Sequence, residues 1–254
     1  MSKEICLMKR LAVLTTLLAA LLFGFSAIAQ EDVLGAEAIL DRVNSAWQGD
    51  SFHGIIALEI VLSGQTKSHK LEVWTLGEEL ALIRVLEPEV DLNSGYLQQG
   101  DELWYYSPAV GSIKLPAMAI GDALFGAGPS LQDLSHGTLS EDYDASVDAT
   151  DDGFFLTLIP HLDAPVVYGK LEIWVAADYV MERLIYYDQR GDVLQTAEFS
   201  DIVEMRDRKF PTTILIEDAY GDQTIQRIEG PQFDLELDAA FFSIETFEGW
   251  GDGG

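Results

Sequence analysis

The sequence predicts a mainly β fold of the α+β class: one strongly curved antiparallel sheet of about ten to twelve strands, with an N-terminal helix and a mid-chain helical lid. Three observations carry this expectation. Runs rich in β-branched and aromatic residues follow one another from Phe52 to Glu229, divided by turn pairs. Glu31 to Gly49, before them, has helical spacing instead. The stretch Ala117 to Leu134, in their midst, is small, apolar and glycine-broken.

The first 29 residues read as an export address. Lys3, Lys9 and Arg10 give a positive start, Leu11 to Ile28 an apolar run, and Ala27-Ile28-Ala29 a small-x-small cleavage site before Gln30. No positive cluster follows to stop transfer, since Glu31 and Asp32 come next. Met8 opens a complete signal by itself, so the start is Met1 or Met8. The single cysteine, Cys6, precedes the apolar run and leaves with it. The remainder then has no disulfide and no cysteine-based metal or redox site. Export without disulfides fits a bacterial periplasm, and residues 30–254 are long enough to rely on one core. They read as a single domain, with 248–254 a flexible tail.

Charge constrains the partners. Asp and Glu number 43 against 15 Lys and Arg, a net charge of −28. Such a surface repels nucleic acid and anionic headgroups. It reads as a solubility device, a mark of a salt-adapted source, or a match to a basic partner.

The elements follow in order. Leu34, Ala38, Leu40 (or Ile39), Val43, Ala46 and Trp47 recur at three- and four-residue spacing, with acids in the first turn and Gly49 as the stop. This helix has one apolar face to lay on a sheet. Strands are expected at 52–62, 66–76, 79–86, 96–99, 102–107 and 112–115, then at 153–160, 166–176, 179–188, 193–199, 212–219 and 223–229. Gly100-Asp101, Ala177-Asp178 and Gly221-Asp222 are hairpin pairs. So many strands exceed what one flat sheet tolerates, and the sheet must curl.

Catalytic chemistry finds no support. There is no G-x-S-x-G, and Gly128-Pro129-Ser130 lacks the elbow. His53, His69, His136 and His161 are dispersed, with no pair at metal-ligand spacing. Tested as a calcium loop from Asp142, the acidic run EDYDASVDATDDG puts Val147 where a glycine must turn and Gly153 where a bidentate glutamate belongs. With so many acids, no carboxylate pair singles itself out. The sequence implies no enzyme, no cofactor and no metal.

What remains is apolar surface. Ile55-Ile56-Ala57, Ala81-Leu82-Ile83 and Phe154-Phe155-Leu156 are apolar at consecutive positions, the mark of strands covered on both faces. One helix and one short segment are little to cover them with. Either the core is ordinarily packed, or a cavity lies between sheet and helices that an apolar ligand completes.

The order of elements is similar to that of the LolA-type outer-membrane lipoprotein-sorting proteins. Tyr96-Leu97 before Gly100-Asp101, Leu103-Trp104-Tyr105-Tyr106-Ser107-Pro108, Phe125-Gly126 before Leu131-Gln132-Asp133-Leu134, Asp142-Tyr143 and Ala240-Phe241-Phe242-Ser243 carry the resemblance. It implies an unclosed half-barrel around apolar space with helices as its lid, carrying lipoprotein acyl chains across the periplasm. Trp74, Trp104, Tyr106, Met118, Phe125 and Leu131 are the candidate cavity and lid residues. Arg84, by position, is the candidate that holds the lid closed by hydrogen bonding, with a surface ion pair as the other reading. Gly126-Ala127-Gly128-Pro129 departs from the Gly-Ser-Asp-Phe-like phrase of relatives, within the lid itself.

The function expected is therefore a periplasmic, monomeric, non-enzymatic carrier of lipoprotein acyl chains or lipid. An inner-membrane transporter or exporter complex is its partner, with transient membrane contact only and no nucleic acid. The alternative is an accessory or sensor module with a filled core and no cargo, as the similar N-terminal half of RseB-type stress regulators suggests.

Overall fold

The computed structural model describes residues 35–116, 119, 142–164, 166–205 and 208–250. The signal peptide with its cleavage site and the lid candidates Met118, Phe125 and Leu131 lie outside the described residues.

Helix α1, Ala36–Gln48, opens the described chain. Six strands follow: β1 Ser51–Leu62, β2 Gln65–Leu76, β3 Leu80–Glu87, β4 Gly95–Gln99, β5 Glu102–Ser107 and β6 Gly111–Leu115. After the mid-chain stretch come β7 Tyr143–Ala149, β8 Gly153–Pro160, β9 Lys170–Ala176, β10 Met181–Tyr187, β11 Val193–Met205, β12 Arg208–Asp218 and β13 Gln223–Phe233. A 3-10 turn, Ala239–Phe241, and a short helix α2, Ile244–Gly249, close it.

All thirteen strands form one antiparallel sheet in the order β6-β5-β4-β3-β2-β1-β13-β12-β11-β10-β9-β8-β7. The chain builds outward from β1 to the edge strand β6. It resumes at the other edge, β7, and returns inward until β13 pairs with β1. That closing pair, Phe52 opposite Phe233 through Val61 opposite Gln223, is the one neighbour relation not made by consecutive strands. The sheet is open, because β6 and β7 do not pair with each other.

β7 is a strand beyond those expected, and it is built from the acidic run. Tyr143, Ala145, Val147 and Ala149 alternate with Asp144, Ser146 and Asp148, and the whole run pairs with β8 from Tyr143–Pro160 to Ala149–Phe154. Alternation outweighed acidity: the carboxylates all fall on one face, where water solvates them.

Helix α1 lies against both β12 and β7. Five strand spacings separate these two in the sheet, about 24 Å along it. Thirteen helical residues reach only about 20 Å. The sheet curls around the helix, and the side that faces α1 is the inner face.

Candidate functional site

Register assigns every strand residue to a face. Phe52, Ile56, Leu58 and Ile60 of β1 share the inner face with Leu71 and Val73 of β2 and with Ala81, Ile83 and Val85 of β3. Leu103 of β5 continues it toward one edge. Ile214, Ala197, Leu184, Ile173 and Leu156 continue it strand by strand toward the other. All of these side chains are buried. Trp47 of α1 stacks on Phe210 at 4.9 Å and meets Phe199 edge-on at 5.6 Å, seating the helix on this face.

Polar groups on the inner face are few. Gln226 of β13 and His69 of β2 flank Leu58 of β1 on either side. Gln98 of β4 and Thr224 of β13 are also buried. Burial pushes the His69 imidazole below its ordinary value, with Asp91 pulling the other way. Burial, with Tyr105 and Asp91 nearby, raises the Tyr96 phenol to about 12. Burial also raises Tyr143 on β7 to about 12, with contributions from Tyr168 and Asp142. Groups held neutral in this way add no charge to an apolar lining. Among the described residues there is no group of His, Cys, Asp and Glu side chains that could hold a metal ion.

The candidates read from the sequence are brought together, but on the outer face. Trp74, Trp104 and Tyr106 sit at alternate parity to Val73, Leu103 and Tyr105, beside Leu82 and Leu97. The C-terminal segment covers them. Phe242 and Phe247 are fully buried against Leu82, Leu97 and Tyr106, while Trp74 and Trp104 pack at the margin. Trp74 stacks on His53 at 5.0 Å and lies 5.9 Å from Trp250. The Tyr106 hydroxyl donates to the Glu248 carbonyl at 3.3 Å, and Gln99 Nε2 to the Phe242 carbonyl at 2.8 Å. The tail expected from residue 248 is thus packed as far as Trp250.

Arg84 also faces outward. Its Nε and Nη2 donate to Asn93 Oδ1 at 3.0 and 2.7 Å, and its guanidinium lies 5.4 Å from the Trp250 ring. It ties the β3–β4 connection to the C-terminal segment; the lid it was expected to hold lies outside the described residues. Sequence reasoning missed this outer layer. Its signals were present in Phe241-Phe242 and in Ser243, whose hydroxyl accepts from the Thr246 N–H and starts α2.

The model of a family described only as an uncharacterized protein matches residues 77–248. The chain belongs to that family. Its fold is LolA-like, as solved structures show. A LolA superfamily protein from Nitrosomonas europaea matches with a TM-score of 0.69 at 22% identity, over 83% of this chain and 98% of that one. A domain from Vibrio parahaemolyticus, described as outer membrane lipoprotein-sorting, matches with a TM-score of 0.71 at 18% identity, over 84% and 98%. A DUF1329 family protein from Desulfovibrio piger matches with a TM-score of 0.72 at 17% identity, again over 84% and 98%. No curated protein matches the sequence. Among the described residues, no helix is long and apolar enough to cross a membrane.

Proposed function

We propose that this LolA-like protein is a periplasmic, non-enzymatic carrier whose inner face takes up the acyl chains of lipoproteins or lipids. The observation that carries the reading is the continuity of that face: apolar side chains from Leu103 through Leu58 to Leu156 run across the sheet with few polar interruptions. Acyl chains are the ligand such a surface suits, because its apolar side chains far outnumber its few hydrogen-bonding groups. Each methylene transferred contributes about 0.8 kcal/mol, so a chain of about sixteen carbons gains on the order of 12 kcal/mol before ordering costs are subtracted.

The sheet's two open edges supply the means of access, since an unclosed sheet can change its curvature without breaking ladder hydrogen bonds. Met118, Phe125 and Leu131 are proposed as lid residues on the chain that joins those edges. Handover to a membrane transporter or exporter completes the cycle. Titration of the purified protein with a fluorescent fatty acid tests the reading. Saturable uptake is expected, and Val73→Trp, which fills the inner face, is expected to weaken it. Absence of uptake would overturn the carrier reading.

A further inference from the structure

Antiparallel order fixes which connections share an end of the sheet. The β1–β2, β3–β4, β5–β6, β8–β9, β10–β11 and β12–β13 connections all lie at one end. That end carries the five most exposed large apolar side chains of the described residues: Leu162 is 100% exposed, Tyr220 93%, Val90 87%, Val167 73% and Val110 63%, with Val193 and Leu194 beside them. At the opposite end, the fully described connections 77–79, 100–101, 150–152 and 177–180 present no exposed large apolar side chain, and Ile202 of β11, toward that end, is 45% exposed. Both ends are acidic, so apolar tips are what distinguish them.

The β8–β9, β10–β11 and β12–β13 connections are neighbours at this end, and two of their turns are fixed. Asp218 Oδ1 accepts from the Tyr220 and Asp222 N–H groups, at 2.8 and 3.0 Å, fixing the turn that displays Tyr220. Asp188 Oδ1 does the same for Arg190 and Asp192, at 2.8 and 2.9 Å. The Ala219 N–H donates to the Leu194 carbonyl and the Gly169 N–H to the Tyr187 carbonyl, each at 2.9 Å, joining three connections into one rim.

We infer that this end is a docking rim for a lipid surface of zwitterionic headgroups. Separate apolar tips on neighbouring turns suit an interface that yields to each of them without a matching pocket, and a tyrosine suits its boundary. The charge selects the headgroup. Glu89, Asp91, Asp163, Asp192 and Asp222 line the same connections, and Arg190 is engaged by Asp188 and Asp192 at 3.0 and 3.7 Å. These carboxylates complement the outermost ammonium of phosphatidylethanolamine or phosphatidylcholine and repel anionic lipid. The rim does not depend on what the inner face holds.

Vesicle co-flotation tests it. The protein is expected to float with phosphatidylethanolamine–phosphatidylcholine vesicles and to be released when phosphatidylglycerol is added to their composition. Leu162→Ser with Tyr220→Ser is expected to weaken association by about tenfold, and Asp101→Ser, at the other end, to leave it unchanged. All three positions are on the surface, so melting curves should coincide; should the first pair unfold, Val90→Ser with Val167→Ser replaces it. No association with zwitterionic vesicles, equal association of the tip variants, or tighter binding to anionic vesicles would overturn the inference. So would tip-dependent binding seen only when a membrane protein is reconstituted in the vesicle. Fatty-acid uptake by the parent protein keeps the two readings separate: flotation without uptake would sink the carrier and leave the rim, and uptake without flotation would do the reverse.

Discussion

Gly95 marks a close approach of the β4 backbone to β3. A Cβ there would stand 1.9 Å from the Ile83 carbonyl oxygen, a backbone atom that cannot swing aside. Gly95→Ala is expected to cost about 1–3 kcal/mol or more by overpacking. Gly35→Ala, with nothing within 4 Å, is expected to leave the melting temperature in place; equal melting of both variants would refute the packing described. Tyr96 supplies a second test at this scale. Its folded-state value is raised to about 12, so the unfolded chain loses its phenol proton first, near its ordinary value of 10. The stability this contributes is intact below pH 10 and is lost as pH rises toward 12. Alkaline denaturation of Tyr96→Phe should therefore show a shallower loss of stability across that window than the parent.

At the scale of elements, the C-terminal segment accounts for apolar runs that one helix could not. Ala81, Leu82 and Ile83 are all buried, the outer residue under Phe242 and Phe247 and its two neighbours on the inner face. Phe247→Ala is expected to cost about 3–5 kcal/mol and to red-shift tryptophan emission as Trp74 and Trp250 lose their cover; an unshifted spectrum would contradict the packing. This is also where the sequence was read best and worst. Alternation and hairpin pairs made twelve strands legible, because period 2 and turn chemistry are local properties. β7 was not legible, because its short, small side chains alternate weakly among the acids of the run from Asp142 to Asp152. Trp74, Trp104 and Tyr106 were legible as a group but not by face. One residue of register moves a side chain to the opposite face, and what covered that face lay some 140 residues away in the chain.

At the scale of the whole molecule, thirteen strands in a single open sheet leave an apolar inner face, a packed outer layer over β2–β5, and two ends of different character. The resemblance in the sequence carried the architecture because the order of elements and landmarks is global. It could not assign the inner lining, which depends on register across all thirteen strands. The central claim is that the inner face exists to hold acyl chains. Native mass spectrometry of the gently purified protein tests it most directly. The account predicts added mass corresponding to bound fatty acid, phospholipid or lipoprotein acyl chains, displaced by a fluorescent fatty acid in titration. A ligand-free protein that takes up no fatty acid would contradict it.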